Sequence, residues 1–380
     1  MKRFLNSVLL LLCLGCPAWI GSAGAAESAP EQGPTGLEPP LLDTRALLIR
    51  DPAIVADLQL TDQQSEVLRQ LSDALDGLLF SLRDAGPRPT DDQQLSAIKQ
   101  VDAKLESLPQ ILSTAQQQRL TQLRRQYEGI VTLVRPEIVR QLKLTDVQLT
   151  QIRRLHRQSL QRQKEAASKE NSAALIQRIQ QEQLQQTIQV LDESQREQWL
   201  RLLGKPFDFS TMRRAYFHAP ELRQVSAWIN SPPLSLESLK GKVVIVHFWT
   251  FGCINCIRNY PAYKDWFRRY DSENVAMLGI HTPELKSEHD LDVLKQKVRT
   301  EGLDFPIAVD NDKANWNAWS NRAWPSVYLV DKNGRVRFWW YGELNWQGAT
   351  GDQWITERIN RLLKEPPRRA ATATRPSPLN

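Results

Sequence analysis

The chain has few cysteines, no long apolar run and, across its first half, few aromatic residues. Four cysteines in 380 residues, two of them at positions 13 and 16, are too few for a small scaffold held together by disulfides. No stretch approaches the roughly 20 apolar residues that a membrane-spanning helix requires. Tryptophan is nearly absent before residue 220, with ten of the twelve lying beyond it, whereas residues 51–205 are rich in Gln, Leu and Arg. A chain that is 41% hydrophobic and 24% charged is globular, and this uneven composition marks two differently built halves.

The N-terminus has the order of an export signal. Lys2 and Arg3 form a basic region, Val8 to Leu14 an apolar core, and Ala23/Ala25 or Gly24/Ala26 a small-residue cleavage site, so that residues 1–26 are removed and only Cys253 and Cys256 remain in the mature chain. Lipidation at Cys16 or an uncleaved N-terminal anchor are the alternatives. Either way the protein is exported, to the periplasm or cell envelope, which argues against a nucleic-acid partner. A Pro/Gly-rich linker (27–50) follows, and a basic tail (366–380) closes the chain.

Residues 51–205 carry an internal duplication. Pro52 to Gln64 and Pro136 to Gln148 are identical at eight of thirteen positions, at an offset of 84. Four N-cap residues, Thr61, Ser113, Thr145 and Asp192, each have a glutamine three positions on (Gln64, Gln116, Gln148, Gln195), the pattern of a capping box. Helix-spaced apolar residues such as Val67, Leu68, Leu71 and Leu75 follow, so this half is an all-α duplicated domain. The L-T-x-x-Q stretches at 60–64 and 144–148 resemble those of periplasmic Spy/CpxP-type proteins, which implies a chaperone-like role; a plain helical docking scaffold accounts for them equally. Between Arg119 and Lys164 eleven basic residues stand against three acidic ones. That excess suits an anionic membrane surface or acidic partner, or a solvated helix face.

Beyond a second linker (206–221), residues 222–365 alternate strand and helix. The pattern gives strands at Val243–Trp249, Val275–His281 and Ile307–Val309, and helices from about Cys256 to Tyr270 and Ser287 to Glu301. A hairpin over 327–341 turned by "DKNG" and a last helix over about 352–363 complete it. This is the element order of an α/β thioredoxin fold. The stretch "LKGKVVIVHFWTFGCINCIRNYP", with "WINSPPLSLESL" before it and "GIHTPE" after it, resembles exported thioredoxin-like oxidoreductases of the TlpA/ResA kind, and most of all the thioredoxin-like domain of DipZ-type proteins, over about residues 220–345.

Cys253 stands just before a helix, where unpaired N–H groups and the dipole favour a thiolate, and Cys256 lies one turn further in. That spacing suits a nucleophile and a resolving thiol exchanging disulfides with substrate proteins, with no cofactor and a membrane electron donor to recharge the pair. The resemblance implies a helix-kinking role for Pro261 and a cis-proline at Pro325, with Trp249 and Trp324 offering a substrate surface. It also implies a buried acid where this chain has His247, and in ResA-like proteins a glutamate where it has Asn259. His247 is the candidate replacement base, the alternative being a histidine hydrogen-bonded in the core. Other readings of the thiol pair are a zinc site completed by His247, His281, His289 or carboxylates, a peroxidase built on Thr250 and Cys253, and inert thiols in a fold kept for binding. The peroxidase pattern lacks its proline, since Val246 holds that place.

Overall fold

The computed structural model describes residues 41–84, 91–167, 171–212 and 216–366. The expected export signal with Cys13 and Cys16, most of the expected first linker and nearly all of the basic tail lie outside the described residues. Two compact units emerge, one ending before Tyr216 and the other beginning there.

The first unit is all helical: α1 (Arg45–Leu48), α2 (Pro52–Asp57), α3 (Asp62–Ser81), α4 (Asp92–Leu105), α5 (Leu108–Ile111), α6 (Thr114–Glu128), α7 (Pro136–Leu142), α8 (Asp146–Ala167), α9 (Ser172–Val190) and α10 (Glu193–Leu203). The duplication is structural as well as sequential. Short α2 and α7 precede long α3 and α8, which pack against α4 and α9 respectively, and α6 and α10 close the two copies.

All four capping boxes form. Thr61, Ser113 and Thr145 accept from the backbone N–H of Gln64, Gln116 and Gln148, Asp192 accepts from that of Gln195, and each glutamine side chain bonds back to its cap. The spacing did not reveal that the boxes associate in pairs. The Gln64 amide donates to the Gln116 side chain at 2.9 Å and to the Ile111 carbonyl at 2.8 Å. The Gln148 amide does the same to Gln195 at 2.7 Å and to the Val190 carbonyl at 3.0 Å. Each glutamine therefore caps its own helix and ties two helix starts together.

Two expectations for this half need correction. Residues 41–50 are not linker: Leu42, Ala46, Leu48 and Ile49 are buried, and the Thr44 hydroxyl donates to Glu128 at 2.5 Å, because the first turn of the domain needs an apolar lid. Five of the eleven basic residues of the 119–164 stretch are engaged within the unit, which narrows the cationic face without removing it. Arg119 pairs with Asp57, Arg124 with Asp43 and Glu137, Arg135 with Glu128 and Arg162 with Glu182, while Arg125 donates to the Leu202 carbonyl.

The second unit is a seven-stranded sheet: β1 (Phe217–His218), β2 (Ala227–Ile229), β3 (Val243–Trp249), β4 (Val275–His281), β5 (Ile307–Val309), β6 (Ser326–Val330) and β7 (Arg335–Tyr341), in the order β1-β7-β6-β3-β4-β5-β2. β3, β4 and β5 run parallel, while β6 and β7 are antiparallel to their neighbours. Helices α11 (Ile254–Arg269), α12 (Leu291–Glu301), α13 (Ala314–Ala318) and α14 (Gly351–Lys364) complete a thioredoxin fold. The second linker is shorter than expected, because β1 pairs with β7 through Phe217 and His218.

Every residue of β3 is buried, as befits a central strand covered on both faces. Strand alternation divides its side chains. Val243, Ile245 and Trp249 join a core with Tyr260, Tyr263 and Trp266 of α11, Leu294 and Val298 of α12, and Ile355 and Ile359 of α14. Phe248 faces the other way, with its ring 5.8 Å from Trp319 and 5.9 Å from Tyr328. Burial of this strand delivers its C-terminal end, and the two cysteines beyond it, to one edge of the fold.

Candidate active site

The chain leaves β3 at Trp249, turns through Thr250, Phe251 and Gly252, and enters α11 with Cys253 as its N-cap residue. The Cys253 carbonyl accepts from the N–H of Cys256 at 3.0 Å and of Ile257 at 3.1 Å, which fixes the first turn and stacks the two thiols along one side of the helix start. The sulfurs are unbonded, with Cys253 partly exposed and Cys256 fully buried. This asymmetry separates their acidities. A hydrogen bond from the Cys256 thiol, aided by the backbone N–H groups of Cys256 and Asn255, brings Cys253 down to about 6, while burial and the neighbouring sulfur push Cys256 well above the ordinary thiol range. Near neutral pH one sulfur is an exposed thiolate and the other a protonated reserve.

The Trp324–Pro325 peptide bond is cis. Trp324 is held in place: its indole N–H donates to the Thr282 carbonyl at 3.0 Å, and its ring stacks on Trp316 with centroids 3.8 Å apart. Pro261 lies inside α11, where it removes the N–H that would bond to the Ile257 carbonyl. Asn259, where a glutamate was the alternative, is a structural cross-link. Its carbonyl accepts from the N–H of Leu344 at 2.9 Å, and its amide donates to the Tyr263 hydroxyl and the Gly342 carbonyl.

Two expectations change on burial. Trp249 is wholly enclosed, packed edge-on against Tyr260 and His281, so it supports the site from beneath and offers no surface to substrate. His247 shares the Trp249 face of β3, as alternation requires, since both side chains meet the position that a Cβ at Gly279 would occupy. It lies between the rings of Tyr263 (4.3 Å) and Phe305 (4.8 Å), and neither ring nitrogen has a hydrogen-bond partner. Burial drives its pKa down to about 3. Protonating that ring would create a buried, unpaired charge, so the environment opposes the base role, and no protein group among the described residues bonds to its nitrogens.

The carboxylate of this site comes from an element that pattern reading treated as ordinary helix. The expected helix from Ser287 begins instead as a 3-10 turn, Lys286–His289, followed by α12 from Leu291. Within that turn Glu288 is only 2% exposed. Its side chain accepts from the N–H of Gly252 at 2.9 Å and from those of Glu284 and Leu285 at 2.6 and 2.8 Å. Burial alone would raise this carboxyl, but the bonds from Leu285, Glu284, Thr250 and Gly252 hold it below the usual carboxylate range. His281 completes the surroundings. Its ring stacks on Phe251 with centroids 5.5 Å apart, lies 3.4 Å from the Thr250 hydroxyl, and is held neutral by burial with a pKa of about 4. The side chain that bonds to the cysteine turn lies four residues beyond Glu284, whose own charge acts on Cys253. Among the described residues, no group of three or more His, Cys, Asp or Glu could hold a metal ion.

Comparison with known proteins matches residues 219–339 to a family model described as AhpC/TSA family. The chain is 38% identical over 148 residues to Protein DipZ of Mycobacterium bovis and of Mycobacterium tuberculosis, a match covering 38% of this chain and 20% of those proteins. It is 29% identical over 148 residues to Thiol-disulfide oxidoreductase YkuV of Bacillus subtilis, covering 38% of this chain and 94% of that one. Among solved structures, the thioredoxin-like superfamily protein SPOA0173 aligns with 40% of this chain and 100% of its own, at 27% identity and a TM-score of 0.37. The chain thus spans about a fifth of the length of the DipZ proteins it matches.

Proposed function

From an AhpC/TSA-type thioredoxin-like domain over residues 219–339, we propose that the protein is an exported protein thiol-disulfide oxidoreductase, working as a reductase through Cys253 and Cys256. The observation that carries this reading is the opposed acidity of the two thiols: an accessible sulfur ionised near neutral pH and a buried one that stays protonated until needed. Relatedness to YkuV supports the reaction class, and the signal-like residues 1–26 support export.

The reaction balances without a cofactor. The Cys253 thiolate attacks one sulfur of a substrate disulfide; that S–S bond breaks, a mixed disulfide forms, and the departing substrate thiolate takes a proton. Cys256 then loses its proton and attacks the Cys253 sulfur, which releases the second substrate thiolate and leaves Cys253 and Cys256 joined. Two electrons have passed to the substrate. A dithiol donor, which we place at the membrane, restores the reduced pair by the reverse exchange. Trp324 and Pro325 form the wall against which an extended substrate segment lies, and Pro261 shapes the helix behind the thiols. The helical unit serves as a docking scaffold.

Insulin disulfides with dithiothreitol as the dithiol donor provide the test. The full chain should reduce insulin well above the rate of the donor alone, and Cys253→Ser should fall to that background. A wild-type rate equal to the donor alone would refute the reading.

A further inference from the structure

Gly252 and Glu288 approach so closely that a Cβ at position 252 would lie 2.2 Å from the Glu288 carboxylate oxygen. This places a side chain from the loop after β4 directly against the backbone that presents Cys253. The contact is a built one: the carboxylate is buried, and it takes the N–H of Gly252 on one oxygen and those of Glu284 and Leu285 on the other. These main-chain donors, together with Thr250, are uncharged, so they hold the carboxylate in one place without neutralising its charge. Neither the strand position of His247 nor the helix position of Asn259 supplies a charge to the thiols, which leaves Glu288 as the buried carboxylate at the cysteine turn.

We propose that Glu288 is a positioning residue that sets the reducing power of the thiol pair, by clamping the Gly252 turn and holding a fixed negative charge beside the turn that presents Cys253. The proposal rests on the reading of Cys253 and Cys256 as a redox pair. Its physical basis is that the reduced pair carries a thiolate and the disulfide carries no charge. A nearby negative charge raises the free energy of the reduced state and leaves the oxidised state nearly untouched, so the pair gives up its two electrons more readily. Burial matters here, because a charge shielded from water acts over a longer reach than an exposed one. Asp292, whose side chain is exposed at the start of α12, serves as the control.

The test equilibrates the full chain with glutathione redox buffers and scores the thiol state by alkylation. Glu288→Gln, which keeps an acceptor for Gly252 and removes the charge, should shift the equilibrium about tenfold toward the dithiol, equivalent to about 30 mV for a two-electron couple. Glu288→Asp keeps the charge but shortens the reach to Gly252, and should stay within about threefold of wild type; Asp292→Asn should do the same, since exposed charges are screened. If Glu288→Gln does not fold, Gly252→Ala gives a second route, since its methyl displaces the carboxylate and should shift the equilibrium in the same direction. An unshifted Glu288→Gln, an unshifted Gly252→Ala, or equal shifts in Glu288→Gln and Glu288→Asp would overturn the proposal. A wild-type pair that glutathione cannot cycle would instead refute the proposed function.

Discussion

The two units treat their enclosed polar groups differently. In the helical unit, Gln195 is almost fully buried and uses both ends of its amide, accepting from the N–H of Asp192 and donating to the Leu142 carbonyl and to Gln148. In the second unit the buried atoms without a protein hydrogen-bond partner among the described residues are mostly ring nitrogens, those of His247, the indole N–H of Trp249 and Nδ1 of His281, whereas in the helical unit the Thr187 hydroxyl is such an atom. The second unit instead encloses neutral rings, and its buried carboxylate, Glu288, is held by the backbone N–H groups of Gly252, Glu284 and Leu285 and by Thr250.

The first way to break this contrast, and the one with the largest expected effect, is acidification. The folded-state pKa of His247 is depressed to about 3, and that of His281 to about 4, both below the ordinary histidine value. The unfolded chain therefore binds more protons than the folded one across this window. Stability is fully present above about pH 6.5 and is lost as the pH falls toward 3, by up to roughly 4 kcal/mol for His247. Tryptophan fluorescence reports mainly on the second unit, since ten of the twelve tryptophans lie beyond residue 220. Denaturant melts followed this way should weaken steadily from pH 7 to pH 4, and His247→Leu should weaken less. An equal loss in both proteins would show that His247 finds a partner in solution.

A smaller effect is expected in the helical unit. Gln116→Ala removes the amide pair with Gln64 and one side of a capping box, which should cost about 1–2 kcal/mol. Circular dichroism at a helix wavelength should register the loss while tryptophan fluorescence does not move. A shift in both signals would mean that the two units unfold as one. The least effect belongs to Arg69, whose bonds to Glu66 and Asp73 lie on an exposed helix face. Arg69→Ala should leave the melting temperature unchanged within error, because water screens such pairs.

Much of this architecture was legible in the sequence, for identifiable reasons. Caps and strands are encoded over a few residues, so Thr61, Ser113, Thr145 and Asp192 announced their helices, and the apolar run Val243–Trp249 announced the central strand. The fold class of the second half and the place of the cysteine pair followed from the order of such local signals. Side-chain partners at a distance were not legible. The pairing of Gln64 with Gln116, and the contact of Glu288 with a turn 36 positions away, depend on how elements pack. Burial misled in the other direction: an aromatic beside a reactive cysteine suggested a substrate surface, yet alternation turns Trp249 into the core. The short strand β1 escaped notice because two residues carry no periodicity, although its pairing with β7 places the start of the unit at Tyr216.

The account depends most on unequal roles for the two sulfurs, set by exposure and helix position. Mixing oxidised insulin with Cys256→Ser and with Cys253→Ser full-length chains, and resolving the products on a non-reducing gel, tests that directly. With Cys253 as the attacking sulfur, Cys256→Ser should accumulate a covalent adduct that reductant dissolves, and Cys253→Ser should form none. An adduct on Cys253→Ser alone would reverse the roles, and no adduct on either protein would contradict disulfide exchange through this pair.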